Sequence, residues 1–244
     1  MNEAVTLHIP GSVLADPGAM RRLWGPLRDG LAALGLRVEA RVHRRETVPA
    51  QIAADGGFHL IDHGGQPHPR ALILGSAYIA PWYYCDPRGI RALSTIGDLA
   101  FDPETVPEAR AAAFQAELYR NLVTRRRSRY FQPEERMEVP PGCIAVFLQT
   151  EAHRGVAETC YLRLRPMIKA LLARDDPRPI VVKPHPRDTD IDTFDWLARK
   201  ARRDGRLRII PANIHDILAA CAVVVTINSA VGIEAMVHGK PVVL

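Results

Sequence analysis

The stretch Cys221 to Leu244, CAVVVTINSAVGIEAMVHGKPVVL, leaves this chain few choices of fold. An apolar run stops at Thr226-Ile227-Asn228-Ser229, and a helical pattern covers Val231 to His238. A turn comes next at Gly239-Lys240-Pro241, and Val242-Val243-Leu244 resumes as an apolar run. Strand, tight turn, helix and strand in that order form the unit of a parallel α/β sheet. The same alternation reaches back to Cys143. It reads as strand Cys143 to Leu148, helix around Ala157 to Leu172, strand Ile180 to Val182, helix Ile191 to Arg203, strand Leu207 to Ile210 and helix Asn213 to Ala220.

The first half opens as a βαβ unit. Ala4 to Ile9 reads as a strand, Gly18 to Leu34 as one helix with Leu23, Leu27, Leu31 and Leu34 on a face, and Leu36 to Val42 as a strand. Phe58 to Asp62 and Ala71 to Leu74 read as two more strands across a Gly- and Pro-rich loop. Val106 to Arg129 carries the longest helical pattern, ending in the basic run Arg125 to Arg129, and Gln132 to Gly142 reads as a Pro-rich linker. Two α/β domains are therefore expected, residues 1–140 and residues 141–244.

In doubly wound sheets ligands bind beyond the carboxyl ends of the strands, which directs attention to the strand exits. Asn228 and Ser229 fall where a strand hands over to a helix, a place where free backbone N–H groups and the helix dipole favour an anion. Ser229 alone reads as a helix cap. With Gly232 allowing close backbone approach and Glu234 offering a carboxylate to vicinal hydroxyls, the turn also suits the phosphate and sugar of a nucleotide. The other strong exit is Lys183-Pro184-His185-Pro186-Arg187, where two prolines hold Lys, His and Arg off a helix. Gln149 and Glu151 come just after the first strand of the same half and read either as loop polarity or as donor and catalytic contacts. His215 opens a helix that Asn213 caps.

In the first half, Asp62 ends a strand and reads either as a turn cap or as a carboxylate that meets substrate. Asp86 lies in the aromatic stretch YIAPWYYCDPRGIRALSTIGD, a composition that suits sugar recognition as well as core packing. His59, His63 and His68 do not follow the spacing of a tetrahedral metal site, so no metal is expected.

Lys183-Pro184-His185-Pro186, Asn213-Ile214-His215-Asp216-Ile217-Leu218, Thr226 to Ala235 and Gly239-Lys240-Pro241-Val242-Val243 together resemble the capsule polysaccharide biosynthesis family. The resemblance is tight over about the last hundred residues and looser from Tyr78 to Asp98. It implies two Rossmann-like domains of the type B glycosyltransferase kind, with the acceptor on the N-terminal domain and a nucleotide sugar on the C-terminal one. The activity implied is transfer of Kdo (3-deoxy-manno-octulosonate) or a related acidic sugar from a CMP-activated donor to a glycolipid or growing polysaccharide, without a cofactor. It further implies that His185 and Ser229 contact the donor phosphate; Lys183 at its strand exit and Asn228 in the turn read, from their positions, as phosphate-side donors beside them. Glu234 would lie by the ribose, and Asn213 to Asp216, with His215, would border the pocket. Asp62, Asp86 and Glu151 are the candidates for the catalytic carboxylate. A nucleotide-sugar epimerase of similar fold and a non-catalytic nucleotide-binding remnant are the alternatives.

Charge agrees with an anionic partner, since 32 Lys and Arg against 27 Asp and Glu leave a formal net charge of +5. By itself that excess does not choose among nucleotide, acidic sugar, lipid headgroup and nucleic acid; the resemblance selects the first three and not nucleic acid. The 4 cysteines form no C-x-x-C pair, the N-terminus MNEAVTLHIPGS lacks a basic region followed by a long apolar core, and nowhere do about 18 apolar residues run together. A cytoplasmic protein with reduced thiols is expected, with Arg125 to Arg129 available for peripheral contact at the inner membrane. Because the sequence stops on an apolar strand start, the reading expects an incomplete C-terminal domain.

Overall fold

The computed structural model describes residues 4–64, 67–149 and 162–244. By its internal contacts the chain divides into two compact units, Met1–Phe101 and Asp102–Leu244. The α/β expectation with parallel sheets holds in both.

In the first unit the strands are β1 (Ala4–Ile9), β2 (Arg37–Val42), β3 (Phe58–Asp62), β4 (Ala71–Ser76) and β5 (Tyr83–Asp86), ordered β2-β1-β3-β4-β5. All neighbours are parallel except β5, which returns antiparallel along β4. Two short helices, α1 (Gly11–Leu14) and α2 (Pro17–Met20), precede α3 (Trp24–Ala33), and α4 (Val48–Ala54) joins β2 to β3. Alternation along β1 sends Val5, Leu7 and Ile9 against Trp24, Leu27 and Leu31. Thr6 and His8 are buried on the other face.

The single helix read over Gly18 to Leu34 is two helices. Pro26 has no N–H to offer the carbonyl of Arg22, and its ring would clash there, so the helix restarts with Pro26 in its first turn. The released Arg22 carbonyl instead accepts from the Tyr83 hydroxyl at 3.1 Å. Leu34, at the helix end, is 77% exposed and packs in no core.

The second unit holds the sheet β10-β9-β6-β7-β8, every pair parallel, made of β6 (Ile144–Phe147), β7 (Ile180–Lys183), β8 (Leu207–Ile209), β9 (Val223–Thr226) and β10 (Val242–Val243). Because β6 is central, the chain winds outward to β8 on one side and then, by way of β9, to β10 on the other. This is the doubly wound order, and its direction reverses between β6 and β9. Helices α6 (Leu164–Leu172) and α7 (Ile191–Arg203) cover one face, around Val146, Val182 and Ile168. Helices α8 (Ile214–Ala220) and α9 (Val231–Val237) cover the other, around Ala145, Val181, Ile217 and Ala235.

Residues 102–143, ahead of β6, belong with the second unit. Helix α5 (Glu108–Leu118) has no buried residue and passes into a π-helical turn, Tyr119–Thr124, after which Arg126 stands at φ +48. Gln115 Nε2 donates to the Val237 carbonyl at 2.8 Å, and the residues beyond the π-helical turn are hydrogen-bonded to α8. The Pro-rich stretch read as a linker is therefore attached at its start, through Gln132 and Pro133.

Candidate functional site

The central strand of the second sheet decides where the sequence motifs meet. In the register, Phe147 on β6 pairs with Lys183 on β7 and with Thr226 on β9, so the three strands end in one row. Strands about 4.8 Å apart put the exits of β7 and β9 roughly 10 Å from each other, flanking the exit of β6. The loop Pro184 to Arg187 and the turn Ile227 to Ser229 thus lie on either side of Leu148 and the half-buried Gln149. That is the switch point at which open parallel sheets bind ligands.

The β9 side is latched to β6. Thr226 Oγ1 donates to the Phe147 carbonyl at 2.8 Å and accepts from the Ser229 N–H at 3.3 Å. Ser229 is buried, its hydroxyl lies 3.4 Å from the Val231 N–H, and Asn228 is half-buried beside it. Glu234, one turn into α9, is 1% exposed. A Cβ added at Gly232 would sit 3.5 Å from Val242, so this glycine faces β10.

On the β7 side the residues divide. Lys183 is buried, its Nζ donates to the Ala212 carbonyl at 2.5 Å, and burial pulls its ammonium below the ordinary value. One of its three donors is therefore tied to the approach to α8. His185 Nδ1 accepts from the Arg187 N–H at 3.2 Å, so a neutral imidazole there carries its proton on Nε2. Burial pulls His185 below its usual range and Arg187 adds to that, while Asp188 opposes it. Near neutral pH the ring is an uncharged donor set beside the Arg187 guanidinium.

A segment that sequence reasoning treated as a basic helix end and a linker runs beside this edge. Arg126 donates to Asp216 at 2.6 Å and to the Glu134 carbonyl. Gln132 Oε1 accepts from the Ile214 N–H, and Asn213 Nδ2 donates to the Pro133 carbonyl. The Tyr130 ring meets the His185 ring nearly edge-on at 5.0 Å, and the Arg187 guanidinium lies over Tyr130 at 5.0 Å. Residues 126–133 thus form a strap fastened to the start of α8 and to the β7 exit loop. Its anchors leave no local trace because the partners lie far off in sequence; the arginine run and the aromatic pair Tyr130-Phe131 after it are the available signal.

His215, read as a donor contact, is 3% exposed with both ring nitrogens in use. Nε2 lies 2.8 Å from the Arg127 carbonyl, which can only accept, so Nδ1 accepts from His238 Nε2 at 2.9 Å. The two rings stack at 5.3 Å. Burial lowers both imidazoles, His238 to about 4. His215 therefore fastens the strap and the end of α9.

In the first unit the candidate carboxylates differ. Asp86 is 2% exposed, and its two oxygens accept from the N–H groups of Arg88, Gly89 and Thr95 and from the Thr95 hydroxyl. Burial pushes the carboxyl up, but these donors outweigh it and hold it at about 2. Such a group closes a loop and has little capacity left as a base. Asp62, at the end of β3, meets His63 Nδ1 at 2.9 Å and faces His43, whose pKa burial lowers and Asp62 raises. His59 instead joins buried His8 to half-buried Asp55 in a hydrogen-bonded chain, and His68 accepts from the Arg70 N–H, so the histidines of this unit serve separate partners. Glu151 lies outside the described residues. Among the described residues no group of three or more His, Cys, Asp or Glu is arranged to hold a metal ion.

The model of the family described as "Capsule polysaccharide biosynthesis protein" matches residues 111–244, more than half of the chain and nearly all of the second unit. The chain belongs to the capsule polysaccharide biosynthesis protein family. The match to this capsule synthesis family begins inside α5 and takes in the strap, the β7 exit loop and the β9 turn. Among solved structures the chain is similar to Thermosulfurimonas dismutans KpsC, described as a beta Kdo 2,4 transferase. The TM-score is 0.54 at 16% identity, covering 99% of this chain and 79% of that one. At that identity the likeness speaks for the fold. No curated protein matches the chain.

Among the described residues no helix is long and apolar enough to cross a membrane.

Proposed function

We propose that this capsule synthesis family member is a glycosyltransferase that moves Kdo or a related acidic sugar from a CMP donor to a glycolipid or growing polysaccharide. The reading rests above all on the row Lys183, Phe147, Thr226, which brings the His185 loop and the Ser229 turn to the two sides of one switch point. In this reading the two units are the two Rossmann-like domains of a type B transferase, the second holding the donor and the first the acceptor. Family membership and the likeness of nearly the whole chain to a Kdo transferase support it.

The chemistry asks for donors where the departing nucleotide phosphate gathers charge. His185 Nε2–H, the Arg187 guanidinium and the Ser229 turn supply them, with Lys183, Asn228 and Gln149 around them and Glu234 towards the ribose. A carboxylate must take the proton of the acceptor hydroxyl. Asp62 is better suited than Asp86, whose oxygens already accept four hydrogen bonds. The exposed Arg125, Arg127 and Arg129 of the basic run would meet an anionic glycolipid at the cytoplasmic face of the inner membrane, while Arg126 stays paired with Asp216.

The test is incubation with CMP-Kdo and with uridine nucleotide sugars, each with and without a glycolipid acceptor. Transfer from the cytidine donor only when acceptor is present is the expected outcome. A change in the sugar without acceptor would instead indicate an epimerase, and binding without turnover a remnant. His185→Ala should abolish transfer while the melting temperature holds, because a loop and not the core carries it. Ser229→Ala and Glu234→Gln should weaken CMP binding in calorimetry by roughly 1.5 to 3 kcal/mol per charge-assisted bond lost. Unchanged CMP affinity in both would reduce the β9 turn to a helix cap.

A further inference from the structure

We propose that Tyr130 is a positioning residue of the donor site: from the strap, it holds the His185 imidazole and the Arg187 guanidinium as one anion-binding pair. The inference rests on the donor-site reading given above and names a residue outside the β7 and β9 motifs that carried it.

The β7 exit loop has only modest fixation of its own. Its internal bonds are Arg187 N–H to His185 Nδ1 at 3.2 Å and Asp188 N–H to the His185 carbonyl at 2.9 Å, and Arg187 is exposed. The first bond sets the imidazole tautomer, but an exposed guanidinium on a flexible stem is free to swing unless something holds it. The Tyr130 ring is that something. It contacts the His185 ring at 5.0 Å with 79° between planes, the tilted geometry that aromatic pairs favour. The same ring has the Arg187 guanidinium over it at 5.0 Å, within reach of a cation–π contact. One ring touching both side chains couples their positions.

Tyr130 can do this only because the strap itself is held. Arg126 to Asp216, Arg127 carbonyl to His215, Gln132 to the Ile214 N–H and Pro133 carbonyl to Asn213 fasten both of its sides. Preorganised donors bind an anion without incurring the ordering cost at the moment of binding. Loss of the ring should therefore appear as weaker anion binding and as a freer, more solvated His185.

The experiment measures CMP affinity by calorimetry and the His185 imidazole by NMR pH titration in the full chain. Three substitutions are compared: Tyr130→Ala, Tyr130→Leu and Tyr130→Phe. Tyr130→Leu fills space without a ring, so it carries the test if Tyr130→Ala does not fold. The expected result is about a tenfold loss of CMP affinity in the Ala and Leu variants. In both, the His185 titration should move up towards its ordinary value, and Tyr130→Phe should restore affinity and titration together. Native affinity and an unmoved His185 titration in Tyr130→Leu would overturn the proposal, as would a Tyr130→Phe variant that behaves like Tyr130→Leu. His185→Ala keeps the two readings apart. If it leaves CMP binding intact the donor-site reading fails, and if it removes binding while Tyr130→Leu does not, only the positioning role fails.

Discussion

At the scale of single residues, Asp62 and Asp86, two of the three carboxylates that the sequence leaves unranked, are separated by their hydrogen-bond partners. Asp86 accepts from three backbone N–H groups and one hydroxyl within residues 88–95, which makes it the knot of the loop after β5. Replacing it with Ala would leave those donors without their acceptor, and a stability loss of about 2 to 3 kcal/mol is expected. Its folded pKa of about 2 lies below the ordinary 3.8, so its contribution is present above pH 3.8 and is lost as pH falls towards 2. Urea denaturation of Asp86→Ala beside the native chain at pH 7 checks the first part, and a difference under about 0.5 kcal/mol, the usual size of a surface effect, would contradict it. Asp62→Asn leaves the same loop untouched, so loss of transfer with unchanged stability is expected there.

Among elements, the strap matters because it turns a basic helix end into part of a site. Arg126 carries its attachment: the guanidinium and Asp216 are largely buried, with side-chain exposures of 21% and 11%. Breaking a charged hydrogen bond of that kind costs about 1.5 to 3 kcal/mol. Arg126→Ala should therefore loosen the strap while the sheet survives. Limited trypsin digestion reads this directly, since Arg125, Arg127 and Arg129 lie on or beside it: cleavage there should speed up severalfold in the variant, with far-UV circular dichroism unchanged. Equal cleavage rates would mean that Gln132, Asn213 and His215 hold the strap without Arg126.

For the whole molecule, imidazoles in both units, buried at His8 and half-buried at His238, set a common acid limit. His8, 0% exposed, is bonded to His59 in the first unit, and His238 to His215 in the second; burial, then the partner ring, lowers each to about 4. Because these folded values lie below the unfolded 6.5, the unfolded chain binds protons first as pH falls. Stability is therefore full above pH 6.5 and declines towards pH 4, at up to about 1.4 kcal/mol per pH unit for each group. Denaturation midpoints at about pH 7, 5.5 and 4.5 should fall in that order, and His238→Gln should flatten the dependence of the second unit. A midpoint that stays constant over that range would mean that the rings protonate in place.

Much of this was legible in the chain alone. The bounds of β1 and β3, the winding of the second half and the switch-point motifs come from apolar period, β-branched runs and Pro- or Gly-marked turns, all local properties. The break before α3 was legible in principle, since Pro26 forbids the helix that the leucines invite. Tertiary structure alone decided which exits share a row, because the centrality of β6 is a matter of strand order and not of any local pattern. It also decided that His215 and Asp86 are bonded on every side while His185 holds its Nε2 proton at the β7 exit, and that Arg126 and Tyr130 belong beside the motifs. Hydrogen bonds such as Arg126 to Asp216, 90 residues apart, leave no periodic trace in a sequence, because what joins them is the closure of the fold and not the neighbourhood of the chain.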